Sequence, residues 1–447
     1  MKNQGDPIPS RMVWPAAGAL LLALLLLRSA ALEQGGPTAS LAVGAFLSVL
    51  AVFALLLLSL SGESLSSLSR LFFPIALALF LRLFLLDHQT SDYRDFLVRW
   101  ASFFRDNGGF AALGTPLGDY NVPYLYFLAF ISYIPLPDLY LIKLFSIFFD
   151  VLLAWAGYRL VRLLTGPESR KPAAVFCLLL LMPTALLNGA YWGQCDSIYT
   201  ALCLHAFANG LERRPVSSVL LLSLAFSFKL QTVFLIPLWC VLWYCGRLRF
   251  RHLLLFPAGY LASIFPALAA GRSLSSILGI YLHQTVEYSA LTMNAPSVFA
   301  LIPYGAQINE DLAGKLGILA AFALVLALLA LLFPFRGQLT DRSLLLAGAI
   351  MALGVPLLLP HMHDRYFFLA DSLTLILAVL WPRRHTVCAV LVQIASLGAY
   401  HAYLRLRYAC PMGLGTLLNA AALVLLLLDL VHSLSPDGKR VQKDRRA

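Results

Sequence analysis

The sequence predicts an all-α protein, a polytopic transmembrane helical bundle of about fourteen spans (twelve to fourteen). Composition is the first reason. Of 447 residues, 60% are hydrophobic and only 12% charged, and mean hydropathy is +0.79. An ordinary soluble domain is about 25% charged. The second reason is the form of the apolar runs. Stretches such as 19–27 and 418–428 are continuous rather than alternating, which excludes a barrel. Within lipid each segment must pair its own backbone groups, so the spans are helices. The third reason is that the basic residues fall into alternate turns.

Taken in order, the runs lie at 13–32, 40–60, 71–87, 139–163, 172–190, 196–211, 215–229, 231–245, 252–270, 314–335, 343–361, 366–381, 386–402 and 411–433. The first follows only Lys2 and Arg11, as a signal peptide would. Its length, and the second run that follows at once, favour an uncleaved span. With the N-terminus in the cytoplasm, the inner turns carry Arg70; Arg159, Arg162, Arg170 and Lys171; Arg213 and Arg214; Arg247, Arg249 and Arg251; Arg336 and Arg342; and Arg383 and Arg384. The tail from 434 onward, expected to be disordered and cytoplasmic, adds Lys439, Arg440, Lys443, Arg445 and Arg446. That distribution follows the positive-inside rule; only Arg405 and Arg407 break it. It also explains the net charge of +11 without nucleic acid as a partner. The seven cysteines include no CxxC and no Cys/His spacing. That argues against a disulfide framework or a zinc site.

The whole of 1–433 reads as one domain, with two long outer loops at 88–138 and 271–313. Chemistry needs polar groups and room, so the outer face is where a site is expected. In the first loop, Tyr93, Phe96, Leu97, Trp100, Phe103 and Phe104 share one helical face. Arg94, Asp95, Arg99 and Arg105 share the other. This predicts an interfacial helix, aromatics towards lipid, ended by Asn107-Gly108-Gly109. The stretch 120–134 contains Pro123 and is followed by Pro135 and Pro137. Were it to span, every later basic turn would move outside, so it reads as a second interfacial helix or a re-entrant piece.

Four clusters can carry chemistry. Asp92 and Asp95 open the interfacial helix, where a carboxylate can act as a general base or simply cap the helix. Tyr191-Trp192-Gly193-Gln194-Cys195-Asp196-Ser197 starts a span, and Asp196 is again either functional or a cap. Lys229 and Gln231 interrupt a long apolar stretch and fit the outer turn of a helical pair; a lysine at that depth faces a cavity or a partner or snorkels. His361-Met362-His363-Asp364-Arg365-Tyr366 joins two apolar spans. Its His-x-His-Asp string has metal-ligand residue types, but the planar fork of Arg365 suits a phosphate better, with Tyr366 to orient it. His283, Glu287, Tyr288 and Asn294 of the second loop are candidates for sugar hydroxyls.

At these residues the chain resembles bacterial relatives of the mannosyltransferase that adds the second mannose of GPI anchors, within the GT-C glycosyltransferase superfamily. The resemblance runs from about 72 to 381. It rests on Ser91-Asp92 with Phe96, Leu97 and Trp100; Gly118-Asp119-Tyr120-Asn121-Val122-Pro123-Tyr124; Trp192-Gly193-Gln194 with Asp196; Lys229-Leu230-Gln231; and Met362-His363-Asp364-Arg365-Tyr366-Phe367-Phe368. Bacterial members commonly show His-Glu-Arg where this chain has His363-Asp364-Arg365, which keeps the charge.

The resemblance implies inverting transfer of a hexose, mannose-like, from a polyprenyl-phosphate-sugar lipid at the outer face of a bacterial cell membrane. Asp92 would be the base, with Asp95 as runner-up. Trp192, Gln194, Asp196, Lys229, Gln231, His363, Asp364, Arg365 and Tyr366 would line the substrate site, and Arg365 would hold the donor phosphate. No cofactor follows with certainty; a divalent cation is left open. The two N-terminal spans within 1–70 lie outside the common core. The competing reading is a multispan transporter or flippase of a lipid-linked sugar. Against it, no repeated halves are visible and the polar residues crowd one face.

Overall fold

The structure, a computed structural model, describes residues 10–286, 290–303 and 305–435. Among these residues the fold is all-α, apart from one short parallel pair, Thr292–Met293 with Met362–His363. Ten helices are long and apolar enough to cross a membrane, the pattern of an integral membrane protein. They coincide with ten of the fourteen expected spans.

The other four expected spans are shorter helices. Asp196–Leu211 has 16 residues, Pro215–Phe228 has 14 and Phe368–Leu380 has 13; Leu230–Tyr244 is interrupted after Phe234. At about 1.5 Å per residue, 14 residues reach roughly 21 Å, short of a hydrocarbon core of about 30 Å. The shortening has a local cause. All four start or stop beside Asp196, Lys229 or Arg365, where the chain leaves the helical path.

Pro215–Phe228 and Leu230–Tyr244 form the expected pair. The Trp239 indole donates to Ser218 Oγ at 3.0 Å, bringing the chain back beside its starting level. Lys229 and Gln231 therefore sit at the turn.

The helix ends sort into two faces. At one, Arg159 meets Asn209 (2.7 Å) and Glu212 (3.0 Å), Lys171 meets the Leu380 carbonyl (2.6 Å), and Arg247 meets the Leu211 carbonyl (3.1 Å) and Asp341. Arg342 and Arg384 share Asp429 at 2.7 and 2.6 Å. The basic turns thus gather at one end, and the candidate clusters at the other. The two N-terminal helices, Ser10–Ser29 and Gly36–Leu60, are tied to the bundle at both ends. Gln34 N and Asp87 both meet the Tyr140 hydroxyl (2.9 and 2.6 Å), while Trp155 and Tyr158 reach Ser61 (3.1 Å) and Glu63 (3.0 Å).

In the first loop the helix begins with a π-helical turn, Tyr93–Leu97, continues as Val98–Asp106, and stops at Gly108 and Gly109, both at positive φ. Its apolar face differs from expectation. Tyr93, Leu97, Trp100 and Phe104 are buried against the protein instead of being offered to lipid. The following helix, Val122–Ile131, has ten residues and does not span. Asn121 donates to Tyr260 (3.2 Å), whereas Tyr126, further along, lies against Ser263 and Ala267. Arg105 then binds the carbonyls of Ser132 (3.1 Å) and Ile134 (3.4 Å). The chain dips and returns to the same face, as a re-entrant piece does.

Candidate functional site

A cavity of about 410 Å³ opens at the face opposite the basic turns. Seven stretches of sequence wall it: Asp92, Phe96, Leu97 and Trp100; Asp119 and Tyr120; Gln194; Phe228, Lys229 and Gln231; Met293 and Asn294; His363, Asp364, Arg365 and Tyr366; and Tyr403.

Asp92 is not a helix cap. Its backbone is already helical and its side chain makes no cap bond; Thr90 Oγ1 instead accepts from the Tyr93 amide at 3.4 Å. Both carboxylate oxygens are engaged elsewhere. Oδ2 accepts from the Trp192 indole (2.8 Å) and the Gln194 amide (2.6 Å), and Oδ1 from the Tyr403 hydroxyl. Two widened turns aim these groups. Asp92 immediately precedes the π-helical turn Tyr93–Leu97, and Trp192 closes another, Leu186–Trp192; π-turns recur at functional sites. Gly193, at φ 83°, reverses the chain. The Gln194 amide N–H then donates back to the Asn188 carbonyl at 2.9 Å, while Ser146 Oγ holds the Gln194 carbonyl at 2.7 Å.

Asp196 is not a cap either, and it does not line the cavity. Fully buried, it accepts from Asn188 Nδ2 (2.7 Å) and pairs with Lys229, while Arg365 Nε stands 3.7 Å away. Trp192 is equally buried and stands behind the wall, with Tyr403 stacked on its ring at 4.5 Å and the Arg365 guanidinium 5.4 Å from it. Neither residue lines the cavity; both stand behind residues that do. Asp95, exposed, is also not part of it.

Gln194, Lys229, Gln231, His363, Asp364, Arg365 and Tyr366 all line the cavity, as expected. Lys229 is 6% exposed, so it does not snorkel. Burial, reinforced by Arg365 and Lys229, pushes His363 down to about 3, so its imidazole is neutral at physiological pH. Burial pushes the Asp364 carboxyl up to about 7, against the pull of Arg365.

The His-x-His-Asp string does not converge. His361, at φ 60°, places its Nδ1 against the Ala290 carbonyl at 2.9 Å. Among the described residues no group of three His, Cys, Asp or Glu can hold a metal ion. The second loop contributes Met293 and Asn294 through the short strand pair. Tyr408 donates to Asn294 Oδ1 at 2.5 Å. Glu287 and Tyr288 lie outside the described residues, as does the side chain of His283.

Sequence reasoning missed Tyr403, Asn188 and Phe228. Tyr403 ends an apolar helix, where an interfacial tyrosine is ordinary, and nothing local marks it. Also unforeseen was the buried pair Arg82–Asp150 at 2.9 Å, with Ser197, the residue after Asp196, donating to Asp150. No model of a known protein family matches the chain, and no curated protein matches it.

Proposed function

We propose that the protein is an inverting glycosyltransferase that moves a mannose-like hexose from a polyprenyl-phosphate-sugar donor to an envelope lipid, glycan or protein acceptor. One observation supports this most. A single cavity is lined by the carboxylate of Asp92, the cations Lys229 and Arg365, and the apolar Phe96, Leu97, Trp100 and Phe228. Its volume of about 410 Å³ falls in the range of small-molecule sites. The apolar wall suits the first units of a lipid chain.

Asp92 takes the proton of the acceptor hydroxyl, whose oxygen attacks the anomeric carbon from the side opposite the phosphate. The bond from that carbon to the phosphate oxygen breaks, and Arg365, with Lys229 beside it, stabilises the charge that collects there. Trp192, Gln194 and Tyr403 hold the carboxylate in place. The motif resemblance to the GT-C group agrees with this arrangement. In this reading the basic turns and both termini face the cytoplasm, as the positive-inside rule favours, and the cavity opens on the outer face of a bacterial cell membrane. On the same reading the four short helices cross where the bilayer is locally thinned, giving fourteen crossings.

Transfer of radiolabelled sugar from synthetic polyprenyl-phosphate sugars tests the reading. Asp92→Asn should lower turnover by about 10²–10⁴-fold, the usual worth of a general base, with donor binding retained. Arg365→Ala should weaken both. Unchanged turnover in Asp92→Asn would remove the assignment of the base.

A further inference from the structure

We infer that Asp364 is a second catalytic carboxyl, one that carries a proton at rest and delivers it to the departing phosphate. The inference rests on the glycosyl-transfer reading and divides its acid and base work between two residues.

Charge balance within the cavity wall carries it. Three buried or half-buried carboxyls, Asp92, Asp196 and Asp364, face two cations, Lys229 and Arg365; Asp119 stands exposed at the rim. Lys229 is committed to Asp196. Arg365 lies 3.7 Å from both Asp196 and Asp364, and no hydrogen bond reaches its Nε. Asp92 is held by the neutral donors Trp192, Gln194 and Tyr403. The carboxyls thus exceed the cations by one before a substrate enters, and an incoming phosphodiester adds another negative charge.

Asp364 is the carboxyl placed to relieve that excess. It is 2% exposed, its Oδ1 is buried without a hydrogen-bond partner, and it lines the cavity next to Arg365. The groups acting on it are Arg365, which favours its charge, and Asp92 and Asp196, which oppose it. Burial outweighs the arginine and raises its pKa to about 7, near the ideal for a catalytic acid at neutral pH.

The step then balances. The acceptor oxygen bonds to the anomeric carbon, and its proton goes to Asp92. The bond from that carbon to the phosphate oxygen breaks, and the proton of Asp364 goes to the phosphate. The lipid phosphate leaves as a monoanion. Asp92 and Asp364 have exchanged protonation states and reset through solvent.

The test uses the full-length protein and two synthetic donors. One is an ordinary polyprenyl-phosphate mannose. The other carries fluorines on the second carbon of the lipid, which makes its phosphate a less basic leaving group. Asp364→Asn should lower kcat on the ordinary donor by about 100-fold or more with little change in KM. It should lose less than about tenfold on the fluorinated donor, because a weak base needs less acid help. The wild type should lose kcat as pH rises through about 7, and Asp364→Asn should lack that limb. Asp364→Glu, which keeps an acid, should retain the limb and most of the activity and so controls for folding. Asp92→Asn should gain nothing from the fluorinated donor.

Wild-type kcat in Asp364→Asn, or equal losses on both donors, would overturn the acid role while leaving the glycosyltransferase in place. Failure of the wild type to use either donor would overturn both.

Discussion

Asp92 accepts hydrogen bonds from an indole, an amide and a phenol, and no cation stands within 4 Å of it among the described residues. These donors fix the orientation of both carboxylate oxygens without adding a charge to the site. Tyr403→Phe removes one donor and leaves the stacking on Trp192. Its kcat should fall about tenfold at nearly constant KM, on the order of one lost hydrogen bond to a charged group; a change confined to KM would mean that Tyr403 acts on binding instead. Asp364 makes a separate prediction about stability. Its folded carboxyl holds a proton to about pH 7, whereas an ordinary carboxyl releases it near pH 4. Between those values the unfolded chain binds fewer protons, so stability falls as pH rises. His363, pushed down to about 3, acts in the opposite sense, costing stability as pH falls below about 6.5. The difference in melting temperature between wild type and Asp364→Asn isolates the first effect: the variant should gain relative stability from pH 5 to pH 8. At this scale the sequence was informative where residue type is costly in its setting. Lys229 and Arg365 stand out in apolar surroundings, but Tyr403 and Asn188 do not.

The elements that build the cavity are those that depart from regular helix. Two π-turns and the re-entrant helix Val122–Ile131 aim side chains, and the break at Lys229 trades span length for the position of one. The four apolar runs that fall short of full length start or stop beside Asp196, Lys229 or Arg365. Hydropathy registers the run, and the point where polar groups bend it depends on partners in other elements, as Lys229 pairs with Asp196. The re-entrant piece was legible because sidedness constrained it. The burial of the Trp100 face against protein was not, because an amphipathic pattern does not say whether lipid or protein covers it. Gly118 links the two parts of this loop. It adopts φ +61°, and a Cβ there would lie 2.5 Å from the Trp100 ring. Gly118→Ala should cost about 1–3 kcal/mol, as overpacking and a strained backbone usually do, and should raise the donor KM by moving Trp100. Thermal melting and transfer kinetics check both; an unchanged KM would detach Trp100 from the substrate.

Across the whole molecule, ion pairs and carbonyl contacts of the basic turns collect at one end, and the cavity opens at the other. The alternation of charge along the sequence anticipated this separation well, since it is set by loop composition and not by packing. Labelling with a membrane-impermeant thiol reagent tests its orientation. Asn107→Cys, on an exposed turn of the cavity face, should react in intact cells. Glu168→Cys, exposed at the opposite end, should react only after permeabilisation. The reverse pattern would turn the bundle over and place the cavity in the cytoplasm. The native cysteines are buried or half-buried and should contribute little background.

The three donors to Asp92 come from positions 192, 194 and 403, so the carboxylate is secured by chain made long after it. While the protein is being synthesised and inserted, Asp92 emerges early and stays unlatched until the helix Pro382–Leu404 arrives. Its productive geometry is thus a property of the finished chain. A fragment ending before that helix keeps the aspartate and most of the apolar wall but lacks the hydroxyl that sets Oδ1. Timing is thereby written into topology: competence for chemistry comes near the end of assembly, when the surrounding bundle is already closed.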